Sequence, residues 1–184
     1  MTLTFALADI PSEESASLSM ASIELREYQP EDAKAFRELN EAWIKKYFGL
    51  EEHDREILGD PDSYVIRPGG HIFLAFLEGR AIGCCALIPM ESGVFEVAKM
   101  AVDERYRGRG VGRKVLAYTI ERARELGASV LYLETNRELA NAIHLYESLG
   151  FKHLPPKESP YVRANVFMEL RLKSAADCTD KRGF

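Results

Sequence analysis

The spacing of hydrophobic and polar residues near the start of the chain predicts a strand followed by two helices. Residues 23–28 alternate apolar and polar positions, as expected for a strand with one buried face. Pro30 then opens a helix, because proline is tolerated in the first turn, and Gly49 is suited to end it. Residues 50–68 have a mixed pattern, which predicts a second, shorter helix ending near Asp60.

The middle of the chain has the pattern of an antiparallel meander. Residues 71–77 and 81–88 are apolar runs separated by a turn that contains Gly79, which is a hairpin signal. Residues 94–102 form a third predicted strand, entered through a turn at Gly93. Short turns between consecutive strands make them pair antiparallel.

Helices and strands alternate in the last part of the chain. A helix is predicted over about 110–126, with Gly127 just beyond its last turn. A strand follows over 130–135, then a helix of about ten residues that ends at Leu149, and a long strand over 161–172. The complete order, β-α-α-β-β-β-α-β-α-β, predicts an α/β fold with a mixed sheet and helices on its faces.

The two ends of the chain lack this periodicity. Residues 11–19 are polar and rich in serine, so residues 1–19 are predicted to form a flexible N-terminal extension, and Met20 is a second candidate translation start. Residues 173–184 predict a flexible C-terminal tail, so the folded domain is expected to cover residues 20–172.

Composition excludes several classes of protein. With 184 residues, 46% of them hydrophobic, the chain can form one domain with a sizeable core. Its net charge of −5 argues against nucleic acid as a partner, because phosphates require a basic face. No apolar run is long enough to cross a bilayer, so we expect a cytoplasmic protein without a membrane partner. For the oligomeric state we expect either a monomer or a homodimer.

The three cysteines do not predict a metal centre. Cys84 and Cys85 are neighbours in a strand, so their side chains point to opposite faces, and Cys178 stands alone in the tail. We therefore expect reduced, apolar strand residues and no bound metal.

Residues 100–113 contain the pattern that carries most chemical information, a glycine-rich turn between a strand and a helix. Glycines allow backbone N–H groups to converge on an anion, and a helix N-terminus adds unpaired donors. Three arginines surround the turn: Arg107, Arg109 and Arg113. A phosphate or pyrophosphate site is the natural inference, although solvated arginines beside a structural turn would give the same pattern.

Nucleotide-binding fingerprints do not fit this turn. A dinucleotide fingerprint requires a glycine where Arg113 stands, and a P-loop requires Gly-Lys-Ser/Thr where the chain has Arg113-Lys114-Val115. The helix also follows an antiparallel meander, whereas the dinucleotide motif follows the first strand of a parallel sheet.

Two segments resemble the GNAT superfamily of N-acetyltransferases. Residues 107–112 match its R/Q-x-x-G-x-G/A signature, and residues 142–151 are similar to its A-I-x-L-Y-x-x-x-G-F segment. The strand over 96–102 also resembles the one that precedes the signature in that family. The resemblance implies a mostly antiparallel mixed sheet of about six to seven strands, flanked by about four helices, in which two splayed central parallel strands hold CoA.

The resemblance also implies a set of acetyl-CoA contacts. The backbone of the strand end would pair with the pantetheine arm, and a bulge would splay this strand from residues 130–135. The turn and the helix start would hold the pyrophosphate. These cofactor-binding residues are Met100, Ala101, Val102, Arg107, Gly108, Arg109, Gly110, Val111, Gly112 and Arg113. The family often has a cofactor-contacting Asn where this chain has Leu139; Asn141 or Asn136 is the candidate replacement.

The reaction that the resemblance implies needs an acid and a base. Tyr146 matches a tyrosine that protonates the departing CoA sulfur, and the alternative is a tyrosine that only packs in the core. Glu96 is the first candidate for the base that deprotonates the amine, with Glu134 in reserve; a solvent-facing strand glutamate is the alternative. A backbone N–H near Met100 or Ala101 can stabilise the developing oxyanion.

Other candidate residues carry less information. His144 is expected to face solvent, and neither His71 nor His53 has sequence partners that suggest a metal. An aromatic stripe can line the acceptor pocket or pack in the core: Trp43, Tyr47 and Phe48.

The sequence therefore predicts an N-acetyltransferase that transfers an acetyl group from acetyl-CoA to a primary amine, with a small molecule as the preferred acceptor and direct attack in a ternary complex. The alternative is a non-catalytic acyl-CoA-binding sensor or scaffold. Residues 29–70 and 154–160 would determine the acceptor and match no signature.

Overall fold

A computed structural model describes residues 23–91 and 93–172 of the chain, which form one seven-stranded sheet with helices on both faces. The strands are β1 (Glu24–Glu27), β2 (His71–Leu77), β3 (Arg80–Pro89), β4 (Val94–Val102), β5 (Val130–Thr135), β6 (Lys152–Leu154) and β7 (Val166–Arg171). The α-helices of the described part are α1 (Ala33–Tyr47), α2 (Glu52–Gly59), α3 (Val111–Glu125) and α4 (Ala140–Ser148). Single 3₁₀ turns precede α1 and α3, and a π-helical turn follows α2.

The sheet is mixed, with the strand order β1-β2-β3-β4-β5-β7-β6. Neighbouring strands pair antiparallel except β4 and β5, which are parallel. This confirms the predicted α/β fold, its strand number and its parallel pair. The predicted extension 1–19, the candidate start Met20 and the tail 173–184 lie outside the described residues.

Two hydrophobic cores lie on opposite faces of the sheet. One packs α1 and α2 against the sheet through residues such as Phe36 and Ile57, and the other packs α3 through residues such as Val115. Cys84 belongs to the first core and Cys85 to the second, as the alternation of strand side chains predicts. Burial raises the pKa of the Cys85 thiol to about 12 and also raises the pKa of the Cys84 thiol.

The end of the chain differs from the predicted strand over 161–172. The strand β7 begins only at Val166, and residues 161–164 turn back on themselves through a bond from Ala164 N to Tyr161 O of 3.1 Å. The physical reason is that the Glu51 carboxylate accepts hydrogen bonds from the N–H groups of Val162 and Arg163, which are therefore unavailable to a strand ladder. The three-residue β6, which pairs with β7, was not predicted.

The two parallel strands separate along their length. Their pairing covers only Val94–Glu96 on β4, after which β4 continues beside β3 and β5 continues beside β7. Cys84 of β3 pairs with Ala101 of β4, whereas Ala86 of β3 pairs with Ala98 of β4. The strand β4 therefore contains one extra residue at this point. Lys99, at this bulge, has a backbone φ of 49°, a value that residues other than glycine rarely adopt. Because a bulge bends the strand that contains it, the cleft between β4 and β5 begins here.

Candidate active site

A cavity of about 700 Å³ occupies the cleft between β4 and β5. It extends from the glycine-rich turn, past the diverging strands, to the end of α1 and the turn over 161–164. The predicted residues Met100, Ala101 and Val102 all line it. Ala101 and Val102 pair with β3 on one side, and no β5 residue pairs with them on the other, so that side of β4 borders the cleft.

The glycine-rich turn has the geometry of an anion site. Gly108 and Gly110 have φ values of 73° and 79°, and a Cβ atom added at either one would meet nothing within 4 Å. The first hydrogen bond of α3 runs from Lys114 N to Gly110 O at 3.0 Å. The N–H groups of Val111, Gly112 and Arg113 therefore have no intrahelical acceptor and are available to a bound anion.

The three arginines of the turn have different surroundings. Arg107 and Arg113 line the cavity, with Arg107 Nε 3.3 Å from Val102 O and Arg113 Nη1 donating to Ser148 Oγ at 2.9 Å. The Arg109 guanidinium lies 5.9 Å from the centre of the Tyr106 ring and does not line the cavity. The positive charge at this end of the cleft therefore comes mainly from the first two.

Asn136 and Asn141 both line the cavity, but only one offers its side chain. The side-chain NH2 of Asn136 donates to Arg163 O at 2.7 Å, and its side-chain oxygen accepts from Glu138 N at 2.8 Å. Both groups of this amide therefore already make hydrogen bonds within the protein. Asn141 is exposed at the start of α4, and its side chain bonds to no described residue. Asn141 is consequently the better candidate for a contact with a cofactor.

Tyr146 projects from α4 into the boundary between core and cavity. It is buried, its ring packs edge-on against Phe151 with centroids 5.9 Å apart, and it also lines the cavity. Its hydroxyl bonds to none of the described residues. Burial raises its pKa well above the ordinary value for tyrosine, so the phenol keeps its proton at neutral pH.

Glu96 and Glu134 face the cavity from adjacent strands. Glu96 is half-buried, and its carboxylate accepts no hydrogen bond from the described residues. Glu134, in contrast, accepts from Tyr132 Oη at 2.9 Å and from Ser159 Oγ. Burial, together with the charge of Glu134, raises the pKa of Glu96. Glu96 is thus a carboxylate with a raised affinity for a proton and without a hydrogen-bond donor among the described residues.

The remaining predicted residues divide between the cavity and the surface. The aromatic stripe of Trp43, Tyr47 and Phe48 lines the cavity. His144 is exposed, as expected. His71 contacts Glu27, and neither residue lines the cavity; His53 Nδ1 lies 3.2 Å from Glu56 Oε2.

A buried ion cluster lies at the end of the cleft opposite the glycine-rich turn and was missed by the sequence analysis. Lys99 Nζ donates to Asp54 Oδ1 and to Tyr161 Oη, both at 2.7 Å. Arg163 donates to both oxygens of Asp54, at 2.7 and 2.8 Å, and to Glu51 at 3.0 Å. The two cations hold the pKa of Asp54 down at about 2 against the effect of its burial.

This ion cluster joins three separate parts of the chain: α2, the bulge of β4 and the turn over 161–164. One signal in the sequence points to it. Lys99 lies between apolar residues of β4, and a lysine in that position requires a buried acid or an exit to solvent.

The described part of the chain contains neither a metal-binding cluster nor a helix that could span a membrane. Within 23–91 and 93–172, no three His, Cys, Asp or Glu side chains are grouped so that they can hold a metal ion. No helix in the same part combines the length and the apolarity needed to cross a bilayer.

Curated relatives match the central part of the chain. An uncharacterized N-acetyltransferase of Escherichia coli, YjgM, is 37% identical over 119 residues, which are 60% of this chain and 71% of that protein. Human N-acetylaspartate synthetase is 35% identical over 103 residues, 53% of this chain. The chain spans only about a third of the length of that synthetase.

Solved structures share the fold over most of the chain. A GNAT-family acetyltransferase from Staphylococcus aureus superposes with a TM-score of 0.74 at 24% identity, covering 83% of this chain and all of that one. A Salmonella typhimurium acetyltransferase, YncA, solved with acetyl-CoA, has a TM-score of 0.67 at 22% identity, covering 83% and 95%. The sequence profile of the acetyltransferase (GNAT) family matches residues 22–151, and the chain belongs to this family.

Proposed function

We propose that the protein transfers the acetyl group of acetyl-CoA to a primary amine of a small molecule, by direct attack in a ternary complex. The observation that carries this proposal is the continuity of the cavity. One space connects an amide-rich, basic turn to a buried tyrosine and an unpaired glutamate. The acetyl-CoA in the YncA structure supports the choice of donor.

The cofactor contacts follow from the donors described above. The N–H groups from Gly108 to Arg113, with Arg107 and Arg113, would hold the pyrophosphate, because free backbone donors at a helix N-terminus favour anions. The cleft side of residues 100–102 would pair with the amides of the pantetheine arm. Asn141 would contact the same arm from α4.

The reaction needs one proton acceptor and one proton donor. The ammonium of the acceptor loses a proton to Glu96, and the freed lone pair attacks the thioester carbon. The new C–N bond forms, the C–S bond breaks, and Tyr146 donates its proton to the sulfur, later regaining one. Overall the ammonium loses two protons, of which one restores the CoA thiol and one leaves to solvent.

The experiment that tests this function combines binding and turnover. Acetyl-CoA and desulfo-CoA are titrated into the protein in a calorimeter, and thiol release is then followed over a panel of amines. Binding with amine-dependent thiol release is the expected result. Binding without thiol release from any amine would favour the acyl-CoA sensor, and absence of binding would contradict the proposal.

A further inference from the structure

The two ends of the cleft carry opposite charge. The glycine-rich turn at one end has Arg107 and Arg113. The opposite end, near α1 and the turn over 161–164, is bordered by three glutamates, Glu96, Glu134 and Glu138, and we call it the acceptor end. Since acetyl-CoA brings its phosphates to the basic end, the acidic end is left for the second substrate.

The cations that border the acceptor end are already neutralised. Among the described residues, the lysine and the arginine that line this end are Lys99 and Arg163. Both are bonded to the buried Asp54, and Arg163 is also bonded to Glu51, so two carboxylates balance the two cations. The side chains of Lys99 and Arg163 are only 4% and 15% exposed. The nearby Lys157 lies 3.6 Å from the centre of the Tyr132 ring and does not line the cavity. A carboxylate entering here would meet glutamates, and both cations of the lining at this end already have carboxylate partners.

An ammonium would meet the opposite situation. The unpaired carboxylate of Glu96 and the nearby charge of Glu134 repel each other, which contributes to the raised pKa of Glu96. A positive charge placed beside them relieves that repulsion. The acceptor nitrogen must come close to Glu96 to be deprotonated, so a carboxylate one carbon away from that nitrogen would lie in the same acidic space.

The groove at the entrance to the acceptor end has an apolar part and a polar part. It continues from the cavity along Tyr47, Phe48, Leu50 and Val162, and its lining also includes Glu51, Asn136, Glu138 and Arg163. Val162 is 96% exposed and Tyr47 is 47% exposed. Aromatic rings also attract a cation over their faces, so this entrance suits a molecule with an apolar body and a positive end.

We infer that the acceptor is a small primary amine with an apolar body and no carboxylate beside its nitrogen. This inference rests on the proposed acetyltransferase function. It separates the chain from human N-acetylaspartate synthetase, whose name specifies an amino-acid product and to which it is 35% identical over 103 residues.

Matched acceptors test the inference directly. Phenethylamine, phenylalaninamide, phenylalanine, aspartate and a short peptide with a free N-terminus are compared by kcat/KM in the thiol-release assay. Phenylalanine differs from phenethylamine by its carboxylate, and phenylalaninamide keeps the size of that group without its charge. We expect phenethylamine to exceed phenylalanine by about 100-fold, with phenylalaninamide close to phenethylamine.

Each outcome has one meaning. Equal or faster turnover of phenylalanine or aspartate would overturn the inference and leave the acetyltransferase function standing. Preference for the peptide would overturn the small-molecule acceptor. Thiol release from none of them, with acetyl-CoA bound, would overturn the proposed function and this inference together.

A binding measurement separates repulsion from slow chemistry. Phenethylamine and phenylalanine are titrated into protein saturated with desulfo-CoA, first in the original protein and then in Glu134→Gln. The variant should narrow the difference in Kd between the two ligands, because it removes one of the charges that reject the carboxylate. An unchanged ratio would show that the acidic end does not select the acceptor.

Discussion

Burial raises the pKa of both Tyr146 and Glu96, with different consequences for the roles proposed for them. A tyrosine with a raised pKa remains a proton donor across the physiological range. A glutamate with a raised pKa is a stronger base but must work at a higher pH than an ordinary carboxylate.

Replacement of Tyr146 by Phe should lower kcat by about 100-fold while the Kd for acetyl-CoA stays unchanged, because only the donated proton is lost. The ring and its contact with Phe151 remain. Steady-state kinetics and calorimetry measure the two effects. Tyr118→Phe is the matched control, since Tyr118 packs against Phe73 and does not line the cavity. Turnover at the original rate in Tyr146→Phe would assign this tyrosine to packing.

Glu96→Gln should separate activity from stability. The variant loses the base, so kcat/KM for the amine should fall by at least about 100-fold. In the original protein, kcat/KM should decline on the acid side through a pKa above the usual glutamate value of about 4.3. Glu24→Gln, at an exposed position of β1, is the control.

The same variant should be more stable at neutral pH. A carboxyl whose pKa is higher in the folded state adds no penalty below its unfolded pKa, where both states are protonated. The penalty grows as pH rises and is complete above the folded pKa. Glu96→Gln should therefore raise the Tm at neutral pH and leave it unchanged in acid. A lower Tm at neutral pH would mean that ionised Glu96 stabilises the fold.

At the scale of elements, the start of α3 allows a test of the pyrophosphate site with an internal control. Gly110 and Gly127 lie at the two ends of this helix, have φ values of 79° and 78°, and have open space where a Cβ would be. Glutamate at either position should cost a similar amount of stability, about 1 kcal/mol. Only Gly110→Glu should abolish acetyl-CoA binding, since it places negative charge beside the expected phosphates. If calorimetry shows the same affinity for acetyl-CoA in both variants, the assignment of the pyrophosphate site to this turn is wrong.

The elements differ in how well the sequence predicts them. The turn over 107–112 and the helix after it are local, so glycine spacing and helix periodicity were sufficient. The strand predicted over 161–172 was wrong only in its first part, before Val166, because the local pattern contains no information about Glu51. The Glu51 carboxylate accepts hydrogen bonds from the N–H groups of two residues more than a hundred positions away. Lys99 and Asp54 are 45 positions apart, and no local period connects them.

At the scale of the molecule, the buried ion cluster connects α2, β4 and the turn over 161–164. Asp54→Asn should lower the free energy of unfolding at neutral pH by roughly 2–5 kcal/mol, because it removes the charge shared by Lys99 and Arg163. The pKa of Asp54 is lowered to about 2, so its contribution is present above the unfolded value of about 3.9 and is lost as pH falls towards 2.

Urea unfolding at a series of pH values measures this contribution. The difference between the original protein and Asp54→Asn should shrink as the pH falls from about 4 to about 2. Glu31→Gln, at an exposed position, should give a curve parallel to that of the original protein. A constant difference between Asp54→Asn and the original would show that the loss comes from packing and not from charge.

The two buried thiols on opposite faces of the sheet have a practical consequence. A thiolate, not a thiol, attacks a disulfide reagent, and burial holds Cys84 and Cys85 in the protonated form. In the native state these two residues should not react with the reagent, which then measures the CoA thiol released by turnover. When the sheet opens, both become reactive, and the slow rate of their labelling then reports how often each hydrophobic core is exposed to solvent. Each thiol thus reports the opening of the hydrophobic core on its own side of the sheet.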